Sequence, residues 1–272
     1  MTQPVRLLIS DVDGTLVDKD KHLSAATVAA AQRLREAGIG FTLISARPRS
    51  GLLPLADALA IDAPLAAFNG GLIFRRDGQI EARHLLTREV AAGMLALAAD
   101  APVQVWVFAD DLWFASTGEG HRAVRERVAA QQEPVVRQDF ADLVDRIDKI
   151  TLVSDEPGVL ADLLARGRVA FGGRATIGQS QPYFIDVTAP AANKGSGVES
   201  LAAAFGVPLS ATAVIGDQHN DLPMLERAGL PIAMGNAPDA VKAAARHVTG
   251  TNDADGVAQA IDRIILPLLG AS

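Results

Sequence analysis

The sequence predicts an α/β fold: a doubly wound parallel-sheet (Rossmann-like) core with an α+β cap domain inserted into it. Three observations predict it. Short apolar runs at 5–9, 39–44 and 65–68 alternate with helical stretches, the β-α-β-α-β order that a parallel sheet requires. From about residue 83 to residue 187 this order gives way to hairpins and mixed helices, and from residue 188 it resumes. The apolar runs of the outer segments end in polar residues, and an open sheet of this kind holds its ligand just beyond the carboxyl ends of its strands. The expected division is 1–82 with 188–272 for the core and 83–187 for the cap.

Each element follows in order. The run 5–9 ends in Asp11-Val12-Asp13-Gly14-Thr15-Leu16, two carboxylates two residues apart followed at once by glycine. After a polar turn, Ser24 opens an alanine-rich helix that stops at Gly38. A strand at 39–44 ends in Ser45-Ala46-Arg47-Pro48. The helix at 50–60 places Pro54 near its first turn. The strand at 65–68 ends in Asn69-Gly70-Gly71, and 72–74 with 79–84 make a hairpin on Asp77-Gly78. Within the cap the pattern gives helices at 87–99, 119–131 and 156–166. The cap strands fall at 103–109, 112–116, 149–154, 169–172 and 183–187. Trp106 and Trp113 flank the Asp110-Asp111 turn and are expected to pack in the core from adjacent strands. Past a linker, the pattern gives a helix at 195–205 and a strand at 211–215 that ends in Gly216-Asp217-Gln218-His219-Asn220-Asp221. A helix at 222–228, a strand at 231–234 and helices at 238–245 and 255–266 complete the chain.

Composition narrows the function. With 272 residues, 49% of them hydrophobic, the chain can bury a full core. A net charge of -7 argues against a nucleic-acid or anionic-membrane surface, which needs clustered lysine and arginine. The absence of cysteine excludes disulfides, zinc-thiolate sites and thiol nucleophiles. The apolar run near the N-terminus is too short for a signal-peptide core or a membrane span, so the expected location is cytoplasmic. A monomer or a homodimer is compatible with all of this.

The chemistry lies at the strand ends. Asp11, Asp13, Ser45, Asp217, Asn220 and Asp221 converge there, with Lys194 at the start of a returning helix. Hard carboxylates suit Mg²⁺, which usually keeps waters and a substrate phosphate in its shell. Ser45, Lys194 and the amides around Val12 and Asp13 supply donors for phosphoryl oxygens, the positioning and charge stabilisation that phosphoryl transfer requires. An Asp-x-Asp-Gly alone is commonly a turn, and Lys194 alone is a solvated helix-start lysine; it is their order that makes the set specific. His219 is read as a surface residue or one behind the metal ligands, and Asp253 with Asp255 as a loop before the last helix rather than a second metal site.

These clusters resemble the four motifs of the haloacid dehalogenase superfamily of phosphatases: D-x-D-G-T-L at 11–16, the hydroxyl at Ser45, the lysine at Lys194 and G-D-x-x-N-D at 216–221. The similarity is closer to the Cof-like branch through Asn69-Gly70-Gly71, Asn193-Lys194-Gly195 and the runs 220–225, 233–237 and 251–257. The cap lies between the second and third motifs, as it does in that branch. The resemblance implies that Asp11 attacks phosphorus to form an aspartyl-phosphate, while Asp13 protonates the leaving alcohol and later takes a proton from water. Asp13 would then keep a proton that Asp11 loses. It further implies Mg²⁺ on Asp11, Asp217 and the carbonyl of Asp13, with Asp221 supporting that shell. Val12, Ser45, Ala46, Lys194 and Asn220 would hold the phosphoryl oxygens. Arg47 matches the arginine of the family's Gly-Arg pair, with Ala46 in place of the glycine. The implied substrate is a small phosphorylated metabolite, a sugar phosphate or a phosphorylated cofactor such as pyridoxal phosphate or a flavin nucleotide. Arg47, Asn69, His121, Arg122, Arg174 and Tyr183 are its candidate contacts. A sugar phosphomutase and a non-catalytic phospho-ligand sensor are the alternatives.

Overall fold

The computed structural model describes residues 4–271. The chain opens with β1 (Leu7–Ser10), α1 (Ala25–Glu36), β2 (Gly40–Leu43) and α2 (Arg49–Ala58), then β3 (Leu65–Ala67), β4 (Leu72–Phe74) and β5 (Ile80–Arg83). It continues with α3 (Arg88–Ala99), β6 (Gln104–Ala109), β7 (Leu112–Ala115), α4 (His121–Ala130), β8 (Val135–Val136) and β9 (Ile147–Val153). Next come α5 (Pro157–Phe171), β10 (Thr176–Gln181) and β11 (Phe184–Thr188). It returns through α6 (Lys194–Ala204), β12 (Thr212–Gly216), α7 (Leu222–Leu225), β13 (Leu230–Ala233), α8 (Asp239–Ala244), β14 (His247–Val248) and α9 (Gly256–Ala260). Among the described residues no helix is long and apolar enough to cross a membrane.

Five parallel strands form a sheet in the order β14-β13-β12-β1-β2. Leu7, Leu8 and Ile9 are all fully buried, as strands sandwiched between two helical layers must be. The register sets Ser10 level with Leu43 on one side and Ile215 on the other, so three strand ends align. The strand order reverses at β1, which has β2 beside it on one side and β12 on the other, and ligand crevices form at such a point.

Six more strands, in the order β10-β11-β9-β6-β7-β8, form a second sheet. Val90 and Met94 of α3 with Leu160 and Leu163 of α5 bury one of its faces. The other face carries Trp106, Phe108 and Trp113 and joins the core of the parallel layer, where the Phe68 and Phe108 rings lie 5.7 Å apart. Trp106 and Trp113 are buried and pack edge to face at 5.1 Å. The ladder also aligns Trp106, Thr151 and Asp186 across three strands, and Phe108 with Lys149, so a polar stripe shares that face.

Four departures from the expected elements shape the layers most. The third parallel strand makes only an isolated bridge, Ile44 to Ala66, because β4 takes up β3 as an antiparallel partner. No strand forms at 169–172: α5 runs on to Phe171, Val169 is 90% exposed, and the strand falls instead at β10. Pro54 sits inside α2 rather than in its first turn, on the helix's exposed side. The last helix shortens to α9, followed by a π-helical turn over Ile261–Ile265.

Gly70 joins the parallel layer to α6. Its φ is +97°, and a Cβ there would sit 2.7 Å from the Cα of Gly197. The substitution Gly70→Ala combines left-handed strain with overpacking, so urea unfolding is expected to show a stability loss of about 2–4 kcal/mol.

Candidate active site

Asp11 leaves β1 at the reversal point, and its amide donates to the Ile215 carbonyl at 3.0 Å, which ties the end of β1 to β12. The chain then closes on itself: the Val12 carbonyl accepts from the amides of Thr15, Leu16 and Val17. Gly14 has φ +84°, and a Cβ there would fall 2.5 Å from Asp217 Oδ2, so this turn needs glycine for both conformation and room. The Thr15 hydroxyl donates to Asp217 Oδ1 at 2.9 Å. From the far end of the chain, Asn236 donates to the Gly14 carbonyl and Asn252 to the Val17 carbonyl.

Lys194 arrives as the first residue of α6, where the Asn193 side chain caps the helix by accepting from the Ser196 amide. The lysine is 1% exposed, and its ammonium donates to Asp11 Oδ1 at 2.6 Å and to Asp221 Oδ1 at 2.5 Å. Asp221 Oδ2 accepts from the amides of Asp217 and Gln218, so both of its oxygens are engaged. Asp11 Oδ2 accepts from no described residue, and Asp11 lines the cavity above.

Carboxylate oxygens of Asp11, Asp217 and Asp221 lie within 4.8 Å of one another. One ammonium among three buried carboxylates leaves excess negative charge. Burial, helped by Asp221, pushes Asp217 up to about 6. Burial also raises Asp11 well above the usual carboxylate range, with Asp221 and Asp217 adding to it against the pull of Lys194. For Lys194, burial alone would lower the ammonium, but the charges of Asp11 and Asp221 outweigh it and raise it. A buried, oxygen-only donor set in excess of its cations fits a hard divalent ion.

Asp13 faces away from that cluster. Arg47, buried at the end of β2, grips it with Nε to Oδ2 and Nη2 to Oδ1, both at 2.7 Å, and Lys21 donates to Oδ1 at 2.6 Å. Burial disfavours the charge, yet these two cations hold Asp13 well below the usual range. In the chain by itself, burial and the neighbouring carboxylates push Asp11 up while Arg47 and Lys21 push Asp13 down. Ser45 is buried beside them, and its hydroxyl accepts from the Arg47 amide at 3.2 Å. Ala46 offers its carbonyl to Lys149 Nζ at 3.0 Å.

A cavity of about 340 Å³ opens over these residues and under the six-stranded sheet. Asp11, Asp13, Ser45, Ala46, Asp217 and Asn220 line its floor, and Arg47 joins them while committed to Asp13. Arg122 and Tyr183 line the upper wall, with the guanidinium stacked 3.3 Å over the ring and also paired with Asp155. Three expected contacts lie elsewhere. Arg174 pairs with Glu89 beyond the end of α5, behind the sheet, because 169–172 is helix and not strand. His121 is 64% exposed and turns to Asp155. Asn69, at φ +59°, takes the Ser45 carbonyl through its amide and faces Asn220 at 3.4 Å, linking two motifs instead of lining the cavity. His219 is exposed, and Asp253 accepts from the Lys19 amide.

Sequence reasoning misses Lys21, Arg125, Glu126, Lys149, Thr151 and Asp186, all of which line the cavity. Lys149 and Asp186 do leave a signal. Charged residues within otherwise apolar strands are rare unless paired or functional.

Residues 8–261 match a family model described as haloacid dehalogenase-like hydrolase. The chain is 30% identical to the HMP-PP phosphatase of Escherichia fergusonii, covering 89% of each. It is 28% identical to a pyridoxal phosphate phosphatase of Escherichia coli, over 94% of this chain and 97% of that one. A haloacid dehalogenase-like hydrolase from Bacteroides thetaiotaomicron shares its structure with TM-score 0.86 and 29% identity, covering 96% of this chain and 99% of that one. A Thermotoga maritima protein shares the fold at TM-score 0.81 and 24% identity, covering 96% and 97%.

Replacing Lys194 by methionine leaves Asp11 and Asp221 buried without their cation. Denaturant unfolding near neutral pH is expected to show a loss of about 3–5 kcal/mol. Orphaned carboxyls have folded pKa values above their unfolded ones and bind more protons when folded, so stability falls as pH rises through that interval. The deficit should therefore shrink as the pH is lowered toward about 5.

Proposed function

Because the chain belongs to the haloacid dehalogenase-like hydrolases, we propose that it is a Mg²⁺-dependent phosphatase that hydrolyses a small phosphorylated metabolite through an aspartyl-phosphate. The observation that carries this reading is Asp11 itself. One of its oxygens is held by the buried Lys194 and the other opens onto the cavity, so the nucleophile is fixed in place with a free lone pair. Relatives named for HMP-PP and pyridoxal phosphate hydrolysis support a small metabolite as substrate. Residues 83–187 serve as the cap that closes over it.

In this reading Asp11 forms a bond to phosphorus as the ester oxygen leaves, and Asp13 gives that oxygen its proton. Water then attacks the aspartyl-phosphate, Asp13 takes the proton back, and phosphate and Asp11 are released. The carboxylates of Asp11 and Asp217 with the carbonyl of Asp13 would hold Mg²⁺, which would supply charge neutralisation at the phosphoryl oxygens. Ser45, Lys194, Asn220 and the amides of Val12 and Ala46 position those oxygens. Arg47 and Lys21 oppose protonation of Asp13 in the free chain. An incoming phosphate dianion offsets them, because a like charge beside a carboxyl raises its pKa.

Phosphate release from a broad panel of phosphomonoesters with Mg²⁺ tests the reading. Asp11→Asn is expected to lower kcat by about 10³-fold or more on any substrate turned over. A variant that stays fully active would exclude the mechanism, and isomerised sugar phosphate in place of free phosphate would point to a mutase.

Mg²⁺ binding should follow the titration of Asp217. A protonated carboxyl cannot ligate the ion, so affinity is highest above about 6 and falls as pH drops through that value. The rise in melting temperature on adding Mg²⁺ should accordingly be large at about pH 7.5 and small at about pH 5. A rise that does not change with pH would count against Asp217 as a ligand.

A further inference from the structure

Resting on the phosphatase reading and deepening it, we propose that Glu126 and Asp186 select a leaving group that carries hydroxyls, a phosphorylated polyol, over a planar aromatic one. Glu126 lies on α4 and opens onto the cavity, yet it makes no hydrogen bond or ion pair with any described residue. A half-buried carboxylate that faces a cavity without a protein donor is an acceptor open to a ligand's hydroxyl. Asp186, 7% exposed on β11, takes the Thr151 hydroxyl on Oδ1 at 2.7 Å, with Lys149 Nζ 3.9 Å away, and its Oδ2 accepts from no described residue. Lys149 spends one N–H on the Ala46 carbonyl and keeps others for a ligand. Acceptors and donors thus alternate on the wall above the nucleophile, the arrangement a hydroxyl meets because it both donates and accepts.

Charge and ring geometry narrow the choice further. Arg47 and Lys149 counter Asp13 and Asp186 around Glu126, and the unpaired Arg125 is its chain neighbour on the same cavity. A wall so balanced asks for a neutral partner, not a second charge. The aromatic rings on the cavity are already engaged. Arg122 covers a face of Tyr183, and Phe184 is packed edgewise between Tyr183 at 4.6 Å and Trp106 at 5.1 Å. A pyridine, pyrimidine or flavin ring would have to compete with these contacts for a face to stack on.

The test compares kcat/KM of the full chain with Mg²⁺ on glucose 6-phosphate and sorbitol 6-phosphate against pyridoxal 5′-phosphate and benzyl phosphate, all esters of primary alcohols. The expected result is a preference of about tenfold or more for the polyol pair, since a site built to hydrogen-bond a run of hydroxyls rejects ligands that present a single ring oxygen or none. In Glu126→Ala and Glu126→Gln that preference should shrink by about tenfold, through KM. A preference for the aromatic pair, or one equal in wild type and both variants, overturns the proposal and leaves the phosphatase reading standing. The wild-type comparison decides even if Glu126→Ala does not fold. Release of phosphate from none of the four and from no other ester overturns both.

Discussion

The structure turns on one buried ammonium. Lys194 sits between Asp11 and Asp221 at 2.6 and 2.5 Å, with essentially no exposure to solvent. Charges that deep are costly unless their partners are close and otherwise satisfied, and the neighbouring backbone is arranged to meet that condition. Asp221 gives its second oxygen to two amides, Asn193 caps the helix that brings the lysine in, and glycines at 14 and 216 leave room for the side chains of Asp217 and Asp221. The pair also joins segments remote in sequence, the end of β1, the start of α6 and the loop after β12. The same contact therefore closes the fold and fixes the Asp11 carboxyl that opens onto the cavity.

Much of this was legible in the sequence because strand-end chemistry is local. An apolar run that stops at two carboxylates, a hydroxyl or a Gly-Asp pair marks both the end of a strand and the edge of the crevice beyond it. Asp11, Ser45, Lys194 and Asp217 could be placed from such signals without knowing how the strands are ordered. The hydrogen bonds of Thr15, Asn236 and Asn252 could not, since each reaches a residue far off in the chain.

The upper layer was less legible, for tertiary reasons. Val169, Ala170 and Phe171 form an apolar run that resembles a short strand, yet they continue α5. Gly167 allows this by letting α5 approach α3 closely: a Cβ there would meet the Met94 sulfur at 3.1 Å. Once α5 occupies that face, Arg174 is carried away from the cavity. Glu126, Lys149 and Asp186 come from α4, β9 and β11, and only the pairing of the strands and the seating of α4 bring them together. Local pattern carries no information about such a meeting.

One hydrogen bond spans the two layers at their most sensitive point. Lys149, rooted in β9, holds the carbonyl of Ala46, whose loop presents Ser45 and Arg47. The sheet above and the loop below thus share one contact, so any change in the seating of β9 is felt directly at the backbone between Ser45 and Arg47.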